Sequence, residues 1–241
     1  MADSTNDVVM PGDVLHNLKT SDTSGKIVIG PGLRRDSDNI IVTKPGVVRF
    51  KDPNIYWVDC YQKRYVPARG ESVIGIVTMK AGDIFKLDVG ASEQATLSFL
   101  SFEGATKKNR PNCKVGDIVY AKFAVANKDM ERELVCIGSN GKSGGLGVIK
   151  GGGLLFHSSL YLCRKILSPD CVLLKTLGRS MPYEIAIGMN GRIWIKGRSA
   201  GEAIAIYNGI TCAEHMDNEQ IKVMCKKLLD ALAGFASFGA D

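Results

Sequence analysis

The chain has 241 residues, 31 Lys plus Arg against 25 Asp plus Glu for a net charge of +6, and 45% hydrophobic residues. These proportions belong to a folded globular chain and exclude wholesale disorder, while the length predicts two or three small domains. No apolar run approaches the roughly 20 residues of a membrane span, the start "MADSTND" is too acidic and polar for a signal peptide, and the modest positive charge favours polyanionic partners.

Residues 8–60 read as a small β domain. The runs "VVMPGDVL", "GKIVIGPGLRR", "NIIVTKPGVVRF" and "IYWVDC" are short and apolar and are punctuated by Pro-Gly and Gly-Pro turns. Gly12, Gly30, Gly32 and Gly46 fall at the turns, and Trp57 is expected to anchor the core.

A second β unit follows from about Tyr65 to Gly138. "VIGIVTMKAGDIFKLDVG" reads as a hairpin around Ala81-Gly82-Asp83, and "ATLSFLSF", "VGDIVYAKFAVAN" and "ERELVCIG" supply three more strands. Five short strands with Gly-rich turns suit an OB-type barrel, and a sandwich would read similarly.

Past the Gly-rich joint "SNGKSGGLG" the pattern turns helical. "SSLYLCRKILSP" starts after a serine and ends at Pro169. Ser199 with Glu202 makes a capping box, and Asp217 with Gln220 repeats the signal. Ile221, Met224, Cys225, Leu228 and Leu232 then form one apolar stripe, so the third unit is α+β, with the hairpin "EIAIGMNGRIWIK" among helices.

Chemistry is sparse. Cys60, Cys113, Cys136, Cys163, Cys171, Cys212 and Cys225 are odd in number and contain no C-x-x-C pair, which reads as reduced thiols in an intracellular protein. Cys212 with His215 offers two metal ligands where structural zinc takes four, so no metal and no cofactor is expected. His16, His157 and His215 lie in no recognisable nucleophile context, and no enzyme is predicted. Gly141-Lys142-Ser143 nearly completes a phosphate-binding loop, but Cys136 stands where its first glycine belongs and no helix follows, so an inter-domain linker is the better reading.

The strongest basic feature is "GATKKNRP", where Lys107, Lys108 and Arg110 gather between two predicted strands. On an OB barrel such a loop can hold the phosphates of a single strand; otherwise it is a solvated turn. Phe85, Phe99 and Phe102 are candidates for base stacking or for the barrel interior, with at least two assigned to the interior. Arg34-Arg35 and Lys63-Arg64 with Arg69 either extend a positive track or keep the surface soluble.

On "YWVDCYQKRYVP" (56–67), "LSFEGATKKNRPNCKVGDIVYA" (100–121) and "GMNGRIWIKG", the chain resembles the S1/KH cap subunits of the eukaryotic RNA exosome from Met10 to the last helix. The resemblance implies an N-terminal β domain (1–64), a central S1 barrel of OB type (65–143) and a C-terminal α+β KH domain (144–241), none of them catalytic. It implies a subunit that binds RNA, sits on a ring of RNase PH-like proteins beside other S1-containing cap subunits, stabilises that ring and guides RNA to a separate nuclease. The places implied are nucleus, nucleolus and cytoplasm. A free-standing S1/KH RNA-binding adaptor is the alternative.

"GMNG" has two readings, an RNA-gripping relative of the KH G-x-x-G loop or a turn between strands. Ile185, Ile187, Ile193 and Ile195 alternate with Glu184, Ala186, Arg192, Trp194 and Lys196, which favours the turn. The resemblance implies that this G-x-N-G variant is structural and packs toward the S1 domain. Gly188, Asn190, Gly191 and Trp194 are therefore assigned to a structural turn, with Asn190 and Gly191 in the φ > 0 positions of a type I′ hairpin and Trp194 packing on a neighbouring element.

Overall fold

The computed structural model describes residues 7–15, 27–37, 39–51, 54–127, 129–138 and 140–238, with side chains to residue 232. His16 lies outside them. The chain divides into two compact units, Met1–Gln62 and Lys63–Asp241.

In the first unit the short apolar runs become β1 (Val8–Val9), β2 (Val14–Leu15), β3 (Val28–Ile29), β4 (Leu33–Asp36), β5 (Asn39–Val42), β6 (Gly46–Lys51) and β7 (Ile55–Asp59). They make two sheets, of order β1-β6-β7-β3 and β2-β5-β4. Strand alternation decides which side chains point inward. Tyr56 and Val58 join Val9, Val42, Val48 and Cys60 in the core. Trp57, expected there, is instead only half-buried on the opposite face of β7. Its Cβ comes so near Gly30 that a side chain at Gly30 would sit 2.8 Å from it.

The second unit opens with β8 (Ser72–Ala81), β9 (Ile84–Asp88), β10 (Ala95–Ser98), β11 (Ile118–Val125), β12 (Glu133–Val135) and β13 (Gly147–Val148). Strand order is β12-β10-β9-β8-β11, and β12 pairs back onto β11, parallel to β10 and antiparallel to β11, which closes a five-stranded barrel. That closure rejects the sandwich. Val73, Val77, Phe85, Leu87, Leu97, Val119, Ala121, Phe123 and Leu134 fill the interior. The predicted strand "ATLSFLSF" ends early, at Ser98, because the Ser98 hydroxyl accepts the Leu100 N–H and turns Phe99–Ser101 into a 3-10 helix.

The rest of this unit is β14 (Leu154–His157), α1 (Leu160–Leu167), α2 (Leu173–Ser180), β15 (Glu184–Ile187), β16 (Arg192–Lys196), α3 (Ala200–Cys212) and α4 (Asn218–Phe238). The sheet is antiparallel with β16 in the middle, order β14-β16-β15. One face of it carries Ile187, Ile193 and Ile195 into a core shared with Leu162, Leu173, Leu177, Ile206, Ile210, Ile221 and Cys225 from the helices. The caps act where the sequence placed them. Ser159 accepts the Leu162 N–H (3.0 Å) and Ser199 the Glu202 N–H (3.2 Å). The Glu202 carboxylate returns to the Arg198 N–H (2.9 Å) rather than to the cap itself, and Gln220 accepts from the Asp217 N–H (3.1 Å). Among the described residues no helix is long and apolar enough to cross a membrane.

Candidate nucleic-acid interface

The basic segment leaves the barrel after β10 and returns at β11. Within it the Thr106 N–H donates to the Asn109 carbonyl (3.0 Å), and the Asn109 N–H donates to the Thr106 hydroxyl (3.0 Å). The Asn109 side-chain amide also donates to the Gly104 carbonyl (3.3 Å). A four-residue turn results, with Lys107 and Lys108 at its tip. Both are exposed, and neither forms an ion pair with a described residue. Two exposed ammonium groups thus stand side by side on a turn held by its own hydrogen bonds.

Arg110 is held differently. Its guanidinium lies 3.1 Å from the Asp83 carboxylate and 4.9 Å above the centroid of the Phe99 ring. Asp83 is at the turn of the β8–β9 hairpin, and its carbonyl accepts the Phe99 N–H (3.1 Å). The exposed aliphatic side chains of Ile84 and Leu100 flank these two residues. None of the three phenylalanines presents a ring for base stacking. Phe85, Phe99 and Phe102 are all buried, Phe85 and Phe102 edge to face at 6.4 Å, because a barrel of five short strands needs them as filling.

"GMNG" joins β15 to β16. The loop is closed by the Gly188 N–H donating to the Arg192 carbonyl (2.8 Å) and the Gly191 N–H donating to the Gly188 carbonyl (3.1 Å). Only Gly191 has positive φ (+79°), so the type I′ expectation fails at Asn190. The geometry is a three-residue loop with one left-handed glycine. The physical reason lies in the Asn190 side chain, which is committed to the barrel. It accepts from the Ile74 N–H (3.3 Å) and donates to the carbonyls of Ile74 (2.9 Å) and Val89 (2.8 Å). Beside it the Met189 N–H donates to the Ser72 carbonyl (2.9 Å).

Arg192 extends the same contact. It is 5% exposed and donates to the Asp88 carbonyl (2.6 Å) and carboxylate (2.6 Å). Burial pushes the Asp88 carboxyl up, but hydrogen bonds from Arg192 and the Gly90 N–H, with the charges of Arg192 and His157, outweigh it and hold the group below the usual range. Trp194 shares the Arg192 face of the sheet and is buried against Gly153, where a Cβ would stand 2.6 Å from the indole Nε1. With its amide bonded to the barrel, Asn190 is not free to grip a nucleic-acid backbone.

Gly191→Val is expected to cost about 3 kcal/mol, combining left-handed strain with a clash. Its Cβ would lie 2.7 Å from the Ser158 carbonyl. The check is a denaturant midpoint that falls while the m-value holds.

Gly141-Lys142-Ser143 leads into β13, not a helix, and the Ser143 N–H donates to the Glu103 carboxylate (2.8 Å), so an acidic group already sits where a phosphate would be held. Arg34, Arg35, Lys63, Arg64 and Arg69 are exposed. No group of three metal-ligating side chains occurs among the described residues. Burial, with the neighbouring Cys113, pushes the Cys136 thiol up to about 12, and burial lifts Cys113 to about 11. At neutral pH both stay protonated.

Three family models match in sequence order. The model for the N-terminal region of mammalian exosome complex component RRP40 matches residues 7–61, that for the RRP40 S1 domain residues 65–147, and a KH-domain model residues 153–201. Exosome complex component RRP40 of Bos taurus is 53% identical over 213 residues, covering 86% of this chain and 78% of the relative. Its namesake in Drosophila melanogaster is 45% identical, covering 95% and 98%. The one in Saccharomyces cerevisiae is 31% identical, covering 91% and 94%. A crystal structure of a protein described as an exosome complex RNA-binding protein superposes with a TM-score of 0.56 at 22% identity, over 69% of this chain and 97% of that one, a likeness of fold.

Proposed function

The chain belongs to the RRP40 family of exosome complex components, and from that premise we propose that it acts as a non-catalytic, RNA-binding cap subunit of the exosome. The observation that carries this reading is the coincidence, on one chain and in one order, of the N-terminal, S1 and KH matches. The subunit stabilises the ring of RNase PH-like proteins, stands beside other S1-containing cap subunits, and guides RNA into the channel for 3′ to 5′ processing and degradation. Its working parts are the β domain at 1–64, the barrel at 65–143 and the KH domain at 144–241. As part of that complex it is expected in nucleus, nucleolus and cytoplasm.

RNA is met at the barrel loop by Lys107 and Lys108 through its phosphates, with Arg110 as the third cation of the loop. These are phosphate contacts, which position a strand without reading its bases. Asn190 and its neighbours hold the KH domain to the barrel. Two exposed lysines with no ion pair to a described residue support the loop assignment.

Affinity purification from cells tests assembly. The tagged chain is expected in one large particle with RNase PH-like proteins, and a lone monomer with tight RNA affinity would reject that in favour of a free adaptor. For the loop, neutralising Lys107, Lys108 and Arg110 is expected to weaken binding to all RNA sequences alike. Each lost phosphate contact should lower the log-log salt slope by about 0.7 on a single strand. An unchanged slope would remove RNA from the loop.

A further inference from the structure

The three cations of the loop are not equivalent. Lys107 and Lys108 stand exposed at the tip of the Thr106–Asn109 turn, whereas Arg110 is tied at two points to a different part of the barrel. Its guanidinium meets the Asp83 carboxylate at 3.1 Å and covers the Phe99 ring at 4.9 Å. Asp83 is in turn bonded through its carbonyl to the Phe99 N–H. Asp83, Phe99 and Arg110 therefore join the β8–β9 hairpin, the 3-10 segment after β10 and the end of the lysine turn into one small cluster. An arginine that is paired with a carboxylate and stands over a ring has less net charge to offer a phosphate, and its planar fork suits it to fixing a loop.

We infer that Arg110 is a positioning residue, which pins the lysine turn to the β8–β9 hairpin through Asp83 and Phe99 so that Lys107 and Lys108 meet RNA phosphates from a fixed place. This rests on the reading of the loop as an RNA contact and divides labour within it. The carboxylate of Asp83 then assists polyanion binding, although it adds negative charge to the site. Simple charge counting predicts the opposite, that removing Asp83 tightens binding.

The test uses the full chain with an unstructured oligoadenylate as probe, and reads affinity, salt slope and amide hydrogen exchange at Thr106 and Asn109. Asp83→Ala is expected to weaken RNA binding by roughly three- to tenfold, the scale set by re-ordering one or two side chains, and to speed exchange at both amides. The Asp83→Ala, Arg110→Ala double variant should bind no more weakly than Arg110→Ala alone, since each removes the same pin. Arg110→Lys, which keeps the charge and loses the fork and the stacking plane, should resemble Arg110→Ala.

Tighter or unchanged RNA binding by Asp83→Ala, or full function in Arg110→Lys, would overturn the inference. If Lys107→Ala with Lys108→Ala leaves affinity and slope unchanged while Asp83→Ala still speeds exchange, the pin holds the loop but the RNA reading of it falls. If exchange is unmoved in Asp83→Ala, the pin itself is refuted whatever the lysines do.

Discussion

Asn190→Ala is expected to destabilise the Lys63–Asp241 unit by about 3 kcal/mol, the scale for stranding buried hydrogen-bonding groups that an apolar replacement cannot satisfy. One amide serves three partners, the Ile74 N–H and the carbonyls of Ile74 and Val89. Asn190 is itself buried, so truncation leaves those groups facing a small cavity. Asn190→Asp should be worse than alanine, because a carboxylate can accept from Ile74 but cannot donate to two carbonyls. Urea unfolding of the two variants checks both size and order. A loss below about 1 kcal/mol for alanine would show that the Asn190 amide contributes little to holding the KH domain to the barrel.

Asp88→Ala is the second. It leaves the Arg192 guanidinium, nearly inaccessible, with backbone carbonyls but no carboxylate. Breaking a fully buried pair costs about 3–5 kcal/mol, and since the Asp88 side chain is 46% exposed the expected loss is about 2 kcal/mol. The pH dependence has a definite sign. The folded Asp88 carboxyl lies below its ordinary value, so its contribution is present above the unfolded value, near 3.9, and is lost as pH falls through the folded one. Asp88→Asn should therefore flatten the acid limb of the stability curve, and an acid limb identical to the parent's would refute the pairing. The double variant with Asn190→Ala should be less destabilised than the two losses added, because Arg192, the partner of Asp88, donates to the same Ile74 carbonyl as Asn190.

Much of the architecture was legible beforehand. The barrel strands showed because each alternates side chains between a filled interior and an exterior. The capped helices showed because Ser159, Ser199 and the Asp217–Gln220 pair are local signals read within four residues. Helix α2 was missed for the converse reason. Its N-cap position is Val172, which makes no side-chain cap bond, so nothing local announces its start. Trp57 was placed wrongly because alternation specifies two faces of a strand but not which is the inner one, and Tyr56 took the core.

At the candidate site the basic residues and the "GMNG" turn were visible as composition and pattern. Their roles were not, because the deciding partners are distant in sequence: Asp83 for Arg110, Asp88 for Arg192, and Ile74 with Val89 for Asn190. Asn190-Gly191 reads locally as a type I′ pair, yet the backbone keeps Asn190 out of the left-handed region because its amide is needed across the domain boundary.

The three-part β, barrel and α+β order, the helix caps, the cluster of lysines and the family can all be read from the order of residues. These depend on periodicity, on capping contacts between near neighbours and on residue identity, all of which are written along the chain. The closure of the barrel, its filling by phenylalanines, the tie of Arg110 to Asp83, and the bonding of the KH domain to the barrel by Asn190 with Arg192 emerge in the folded chain alone. Each of those depends on which distant groups meet once water is excluded, and hydrogen bonding in a buried place is satisfied by whatever geometry brings near.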